Sequence, residues 1–353
     1  MKKKNATPLF WGTLIIILLW GTTVNAASLN LKELENLALK NSPELKKAQI
    51  ELEEKEIDYT RAKHQASQIP KKTVQEKEQA LEEAVNNLQL TKKQIIAKSY
   101  NQAISFLDAK ATLLERELNL KKETQALTLS EFRFDKGLIS QNELNSQKNK
   151  LKLATENKAQ AKYNYQLEIM KLNHLVGVSL EEETDLDLPL FSIPVLPQKD
   201  DIYQCLIKKD TSLNLLQKQI AEHSLTLELA QMQNEAALVI KEKELALEKL
   251  KLDLSSRENE LIFLAQTEYL SLWDQYRRTQ NSQQEIYDAQ ERLNEALSQL
   301  SLGLISESEF KDVQTSLELC NLKHQKDVLS LSVTLMNLDL PVELVEVGVE
   351  NNE

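Results

Sequence analysis

The chain has 353 residues and a formal net charge of −11, with 27% charged and only 5% aromatic residues. This acidic charge argues against a nucleic-acid partner, because the phosphates would be repelled. Only 6 glycines and 7 prolines interrupt the chain. This composition favours long helices that pack along a seam, rather than several compact cores. We therefore expect an elongated all-α protein with little or no β-structure.

The first 26 residues have a pattern of their own. Three lysines at positions 2–4 precede an apolar run from Leu14 to Trp20, and a small-x-small sequence ends at Ala26. This pattern predicts a secretory signal peptide over residues 1–26, with an uncleaved anchor as the alternative. Loss of the three lysines would change the net charge from −11 to −14. We expect an acidic, exported protein.

Residues 27–177 are predicted to form a first helical-hairpin repeat. A short amphipathic helix spans Leu29 to Asn41, and Ser42 followed by Pro43 starts a longer helix that ends near Gln65. Residues 72–136 contain no proline or glycine, and their apolar residues recur at helical spacings over a length of roughly 95 Å. The expected seam consists of Leu81, Val85, Leu88, Ile95, Ile96, Ala103, Leu107, Leu114 and Leu118.

A Gly-Leu-Ile-Ser stretch occurs twice, at residues 137–140 and 303–306, and a glutamate follows each serine by three positions. Each glycine suits the left-handed position that ends a helix, and each Ser-x-x-Glu is a capping box that starts the next one. Both stretches therefore predict tight helical-hairpin tips. Their separation of 166 positions indicates two copies of one unit.

The second half is predicted to repeat the first. An acidic, proline-containing linker over residues 178–200 separates it from residues 201–341, and Asp210 marks a helix restart. No residue between Met232 and Leu238 is a recognised helix breaker, so we expect the helix to continue there. Residues 342–353 form an acidic tail that we expect to be loose.

Tyr269, Trp273 and Tyr276 share one face of the predicted second long helix. The spacing fits a packing stripe, and a face that stacks on a ligand is the alternative.

Motifs of catalysis and metal binding do not occur in the sequence. We find no glycine-rich phosphate loop, nucleophile elbow or zinc spacing, so we expect neither an enzyme nor a cofactor. Cys205 and Cys320 form no recognisable framework, and unpaired burial is expected, with a disulfide as the alternative. His324 follows Cys320 by four positions, which alone does not predict a metal site.

Three motifs, in their order along the chain, are similar to those of the TolC-like outer membrane efflux proteins. Residues 41–45 read Asn-Ser-Pro-x-Leu, residues 134–140 carry an aromatic-x-x-Gly-x-x-Ser pattern, and residues 172–177 read Leu-Asn-x-Leu-x-Gly. In the second copy Leu300 stands in place of the tip aromatic residue. The resemblance covers nearly all of the chain after the predicted signal peptide.

This resemblance implies a function and a set of partners. The resemblance implies the exit-duct subunit of an efflux or type I secretion system of the outer membrane, in which the helices of three chains form a hollow cylinder that crosses the periplasm. The hairpin tips meet a periplasmic adaptor that bridges to an inner-membrane pump or ABC exporter. By this resemblance the docking residues are Phe134, Gly137, Leu138, Ser140, Leu300, Gly303, Leu304 and Ser306. Helix capping alone explains the glycines and serines, whereas it leaves the two leucines unexplained.

The chain departs from that family at one place. Each repeat should carry two membrane-spanning strands, which need about 9 to 11 residues each. Only His64 to Lys72 are available in the first repeat, and the second has no interruption at that position. We expect a reduced duct subunit without these strands, and a structural extracytoplasmic coiled-coil protein without channel activity is the alternative.

Overall fold

The computed structural model describes residues 27–65 and 70–346. The predicted signal peptide, residues 66–69 and the end of the tail, residues 347–353, lie outside this part of the chain. The described residues are mainly helical, with two strands of three residues each. They form two tandem repeats of long antiparallel helical hairpins, so the predicted fold class is confirmed.

The two repeats have the same order of elements and nearly the same lengths. The first comprises β1 (Ala27–Leu29), α1 (Leu31–Asn41), α2 (Pro43–His64), α3 (Lys71–Asp135) and α4 (Gln141–Val176). The second comprises β2 (Thr184–Leu186), α5 (Lys199–Lys209), α6 (Thr211–Met232), α7 (Ala237–Ser301) and α8 (Glu307–Asn337). Helices α3 and α7 have 65 residues each, and α2 and α6 have 22 each.

Helices α3 and α7 are the axes of the two repeats. Helices α2 and α4 pack along α3, and α6 and α8 pack along α7. The repeats join through α3 and α8, which run antiparallel, because Lys121 pairs with Asp312 at 2.6 Å and Lys93 pairs with Asp339 at 2.7 Å. Both hairpin tips therefore lie at one end of the bundle, and the α2–α3 and α6–α7 turns lie at the other. One edge of the bundle is formed by α2 and α4, and the other by α6 and α7.

No helix among the described residues has both the length and the apolar character needed to cross a membrane.

The α6–α7 turn contradicts the expectation that the second long helix continues past Met232. Asn234 has a φ of +53°, and the Glu235 backbone N–H donates to the Ala230 carbonyl at 3.1 Å. This is the Schellman ending, with asparagine in place of glycine. The prediction was wrong because only proline and glycine were considered as breakers, whereas asparagine also tolerates the left-handed conformation.

Strands β1 and β2, helices α1 and α5 and the segment after β2 pack on the long helices between the two ends of the bundle, and we call this region the belt. Strands β1 and β2 pair in parallel there, and α1 and α5 pack on α3 and α7. The predicted linker is part of the core, since Leu186, Leu188 and Phe191 are buried. The Ser192 N–H donates to the Val345 carbonyl at 2.8 Å, so the expectation of a loose tail is wrong for residues 342–346.

The predicted seam of α3 is correct over its middle section. Ile95, Ala103 and Leu107 are buried, whereas Val85 is 37% exposed and its neighbour Ala84 is buried instead. Ala84 lies in the same seam as Leu81, Leu88 and Ile95, and Val85 lies beside it. The partner of α3 changes from α2 to α4 further along, since Asn87 pairs with Glu51 of α2 and Gln102 pairs with Glu168 of α4.

We predict that Gly177→Ala destabilises the protein more than Gly137→Ala. Both glycines have left-handed φ values, +75° and +71°, so each substitution costs roughly 1–2 kcal/mol in backbone strain. A Cβ at Gly177 would lie 2.7 Å from the Asn41 side chain, whereas a Cβ at Gly137 meets nothing within 4 Å. The Asn41 amide donates to the Val176 carbonyl, so displacing it loses about 1 kcal/mol more. Urea unfolding of the two variants measures the difference, and equal values would contradict the prediction.

We also predict that acid weakens the belt through His324. This imidazole is buried, with Nδ1 at 3.1 Å from the Ser282 hydroxyl and Nε2 at 3.4 Å from the Phe191 carbonyl. Burial lowers the pKa of His324 below its ordinary value, against the opposing effects of the Phe191 carbonyl and the Asp327 carboxylate. The unfolded chain therefore binds this proton more readily, so its contribution to stability is complete above about pH 6.5 and declines as the pH falls.

Thermal unfolding at pH 7.5 and pH 5.5 tests this prediction. We expect a lower melting temperature at the lower pH, and a smaller difference between the two values in His324→Gln. An equal pH dependence in the variant and the unaltered chain would exclude His324 as the cause.

Candidate functional site at the hairpin tips

The first tip reverses the chain between Asp135 and Gln141. Gly137 has a φ of +71°, and the Leu138 N–H donates to the Arg133 carbonyl at 2.9 Å. This hydrogen bond satisfies a carbonyl group that the end of α3 leaves free. The predicted helix stop at Gly137 is therefore confirmed.

The start of α4 follows immediately and is held by a capping box. The Ser140 hydroxyl accepts from the Glu143 N–H at 3.2 Å, and the Glu143 carboxylate accepts from the Ser140 N–H at 2.7 Å. The hydrogen bond from the Ser140 backbone lowers the pKa of the Glu143 carboxyl below its ordinary value, because it favours the charged form. The end of α3 and the start of α4 are therefore both capped at this tip.

The second tip has the same construction. Gly303 has a φ of +70°, and the Leu304 N–H donates to the Gln299 carbonyl at 2.9 Å. Ser306 and Glu309 form the same reciprocal capping box, and the Ser306 backbone N–H lowers the pKa of the Glu309 carboxyl. The repeated sequence therefore produces a repeated local structure, as predicted.

Apolar side chains are exposed at both tips. Leu138 is 71% exposed and Leu304 is 70% exposed, whereas Phe134 and Leu300 are only partly exposed. The two glycines and two serines of the tips are also exposed, but the left-handed turns and the capping boxes already explain why these residue types occur there. They are Gly137, Gly303, Ser140 and Ser306. The leucines have no such role in the turns, so they are the candidate contact residues.

Two further exposed residues were missed by the sequence analysis. Phe132 is 58% exposed, with the Lys136 ammonium 5.7 Å from its ring centroid, and Leu302 is 73% exposed. The aromatic-x-x-Gly-x-x-Ser motif predicted Phe134, which lies one position before the last residue of α3. Because an α-helix has 3.6 residues per turn, Phe132 and Phe134 lie on different faces of α3, and only one of them can face the neighbouring helix. We define the tip surface as Phe132, Leu138, Leu302 and Leu304.

The two tips lie at different levels along the bundle. The Lys121 ammonium donates to the Ser308 carbonyl at 2.9 Å, so the start of α8 lies beside Lys121 of α3. Helix α3 continues from there to Asp135, which places the first tip roughly 15 Å beyond the second. The structure thus presents the predicted docking residues as two separate groups.

The aromatic stripe of α7 is divided between two environments. Tyr269 and Tyr276 pack against a core cluster that includes Leu272, which supports the packing interpretation for these two residues. Trp273 is 46% exposed, and the Arg277 guanidinium lies 5.4 Å from its ring centroid.

The two cysteines are free and partly buried. Burial raises the pKa of the Cys320 thiol, which makes it less reactive. Within residues 27–65 and 70–346, no group of three or more His, Cys, Asp or Glu side chains is arranged to hold a metal ion.

Neither a protein-family model nor a curated protein sequence matches the chain. Among solved structures, the outer-membrane channel OprN is 12% identical with a TM-score of 0.51, and the match covers 86% of this chain and 89% of that chain. The CmeC outer membrane channel of Campylobacter jejuni is 10% identical with a TM-score of 0.46, over 96% of this chain and 93% of that chain. The chain is therefore similar in fold to the outer-membrane channel OprN, in agreement with its motif resemblance to TolC-like proteins.

Proposed function

We propose that this chain is the subunit of a TolC-like exit duct of an efflux or type I secretion system. Copies of the chain would form a helical conduit in the cell envelope, as a homotrimer by the resemblance stated above. The tip surface would dock a periplasmic adaptor that connects the conduit to an inner-membrane pump or ABC exporter. The similarity of fold to an outer-membrane channel supports the conduit.

The observation that carries the proposal is an uncovered apolar stripe on α7. Leu245 is 53% exposed, Leu252 65%, Phe263 70% and Leu270 65%. Their spacings of 7, 11 and 7 residues keep all four on one side of the helix, because these are close to whole numbers of turns. We call these four residues the α7 stripe.

This stripe has the form of a helix–helix seam. An apolar repeat of seven residues is the pattern by which one long helix packs against another. The opposite face of α7 is already occupied, since Leu261, Ala265 and Leu272 are buried within the chain. A second copy of the chain is the partner that best fits a seam of this length.

A receiving surface for the stripe exists on the other edge of the bundle. Ile50 and Ile57 of α2 are seven residues apart and are 57% and 52% exposed. Helix α2 lies between the belt and the end that carries the α2–α3 and α6–α7 turns, and the first half of α7 covers the same length of the bundle in the opposite direction. We propose that α7 of one copy packs on α2 of the next, which would extend the bundle into a closed wall.

The mechanism would be passive. The conduit would open by movement of the capped tips, with the energy supplied by the partner pump. Its wall would be acidic, because the net charge of the chain is negative.

Electron microscopy of the purified chain tests the conduit. We expect ring-shaped end views with a hollow centre. A monomer or a solid bundle would contradict the proposal and favour a structural coiled-coil protein instead.

A further inference from the structure

Between the belt and the tips, the long helices form an open layer. Helix α3 packs on α4 and on α8, and α8 also packs on α7, which gives the order α4, α3, α8, α7. Helices α4 and α7 are not a packed pair within the described part of the chain. One edge of the layer is therefore a free side of α7, and the other edge is a free side of α4.

The free side of α7 carries an exposed line without charge. Buried residues recur at multiples of seven from Leu247 to Ala296, so a step of seven residues keeps a side chain on the same side of the bundle. Every seventh residue from Leu245 to Asn294 is exposed, and none of these eight residues is charged, although 20 of the 65 residues of α7 are. We call these eight residues the edge line. Depletion of charge is typical of the core of a protein interface.

Trp273 is the largest side chain of the edge line. It is 46% exposed, and the Arg277 guanidinium lies 5.4 Å from its ring centroid, which supports one side of the ring. Arg277 is itself paired with Asp274 at 3.2 Å. The indole therefore has a supported position on the surface while nearly half of it is uncovered. Tryptophan is among the residues that most often anchor a protein interface.

The free side of α4 is apolar in the same way. Leu153 is 58% exposed, Tyr163 61%, Leu167 37% and Met170 44%. Leu153 and Leu167 are 14 residues apart, and Tyr163 and Met170 are seven apart, so the four side chains form two adjacent lines along the helix. This edge can receive another helix along its length.

A mainly apolar cleft opens beside these lines. Its volume is about 390 Å³, and its apolar wall consists of Leu167, Met170, Leu175 and Leu180. A cleft of this size is within the range of pockets that enclose a small organic group, so it has room for one indole. We call it the α4 cleft.

Contacts within the chain show where Trp273 lies along the bundle. Lys326 of α8 contacts Asp108 of α3 at 2.7 Å. Thr334, eight residues further along α8, contacts Gln275 of α7 at 2.9 Å. Because α8 is antiparallel to both helices, Gln275 is level with about residue 100 of α3, and Trp273 is level with about residue 98.

The α4 cleft lies at the same level on the opposite edge. Gln102 of α3 contacts Glu168 of α4 at 2.9 Å, so Met170 is level with about residue 100 of α3. Trp273 and Met170 therefore differ in level by about two residues, which corresponds to roughly 3 Å. A neighbouring copy that stands beside this one at the same height places its α4 cleft next to Trp273.

Three further pairs match by the same count along α3. Tyr287 and Tyr163 are level with about residue 112, Phe263 and Ile50 with about residue 88, and Leu252 and Ile57 with about residues 77 and 78. The four matches extend over roughly 50 Å of the bundle. Two copies thus fit edge to edge with no axial step. A contact of this kind closes into a ring, whereas an axial step would produce an open helical filament.

We propose that Trp273 of one copy enters the α4 cleft of the next copy and that the edge line packs on α4 with both copies at the same level. This proposal rests on the proposed function, because it assumes that copies assemble side by side. It adds the residue that anchors the contact and the register that closes the ring. A second copy is the fitting occupant, since the two edges that match in level and in apolar character belong to the same chain.

Analytical ultracentrifugation of Trp273→Ala tests the anchor. We expect association to weaken by at least about thirtyfold, because an indole would be lost from a filled cleft. Circular dichroism checks that helicity is retained. Leu297→Ala is the matched control, since Leu297 is 56% exposed and lies 21 residues after Tyr276, on the side that packs against the belt core and not on the edge. The control should associate like the unaltered chain.

Cysteine crosslinking tests the register, in a chain that also carries Cys205→Ser and Cys320→Ser. The pair Tyr287→Cys with Tyr163→Cys is level between neighbouring copies. The pair Tyr287→Cys with Met170→Cys is the control, because its levels differ by about 12 residues, or roughly 18 Å. A disulfide needs Cα atoms within about 7 Å of each other, so we expect covalently linked oligomers from the first pair and none from the second.

Two outcomes would overturn the proposal. Equal association of Trp273→Ala and Leu297→Ala would exclude Trp273 as the anchor. Crosslinks from the Tyr287–Met170 pair in place of the Tyr287–Tyr163 pair would exclude the register. A hollow ring seen by microscopy would leave the conduit in place in both cases, whereas a monomeric unaltered chain would overturn the conduit and this contact together.

Discussion

Replacing Leu245 and Leu252 with glutamate is expected to convert the assembled protein into monomers. Both leucines are more than half exposed in the single chain and would be buried in the proposed contact between α7 and α2. Each lost leucine removes about 1.5–3 kcal/mol of the free energy of association, and each introduced carboxylate adds the cost of losing its hydration. Association should weaken by at least about a thousandfold per contact.

Analytical ultracentrifugation measures this change, and circular dichroism checks that helicity is retained. Leu245→Met with Leu252→Met is the matched control, because methionine keeps the apolar character and nearly the volume of leucine. The control should assemble like the unaltered chain. An oligomer of unchanged mass in the glutamate variant would exclude the α7 stripe as the contact.

The combined change Leu138→Asp with Leu304→Asp is expected to abolish adaptor capture and to leave helicity intact. Both side chains are about 70% exposed, and both turns are held by glycine endings and capping boxes that these changes do not touch. A carboxylate brought into an apolar contact loses its hydration, so we expect capture to fall by at least about a hundredfold.

Photo-crosslinking from Phe132 and Leu302 in cells, with mass spectrometry of the products, measures this capture. These two residues belong to the tip surface and are not changed by the aspartate substitutions, so a photoreactive residue can replace each of them in both the unaltered and the double-variant background. Leu138→Met with Leu304→Met should preserve the crosslink to an adaptor. A crosslink of equal yield in the aspartate variant would remove the docking assignment.

The hairpin tips were predictable from the sequence because their chemistry is local. Gly137 and Ser140 determine a stop and a start through bonds to residues within five positions. The exposure of Phe132 and Leu302 was not predictable in this way. It depends on which face of α3 or α7 meets a neighbouring helix, and capping motifs carry no information about that face.

The belt shows where sequence patterns fail. Strands β1 and β2 have three residues each, too few to display an alternating pattern, and they pair across more than 150 positions. The acidic composition of residues 178–200 indicated a linker, yet Leu186 and Phe191 within it are buried. Buried residues in an irregular segment have no periodicity, so only the three-dimensional structure reveals them.

The two edges of the bundle are unlike, since one is formed by α2 and α4 and the other by α6 and α7. In the proposed assembly each copy therefore joins its neighbour head to tail, and no twofold axis relates them. A copy that is altered at one edge can still bind a neighbour through its other edge, but its altered edge cannot bind the next copy. Damage confined to one edge would consequently be dominant, because a single altered chain leaves the ring of intact copies open.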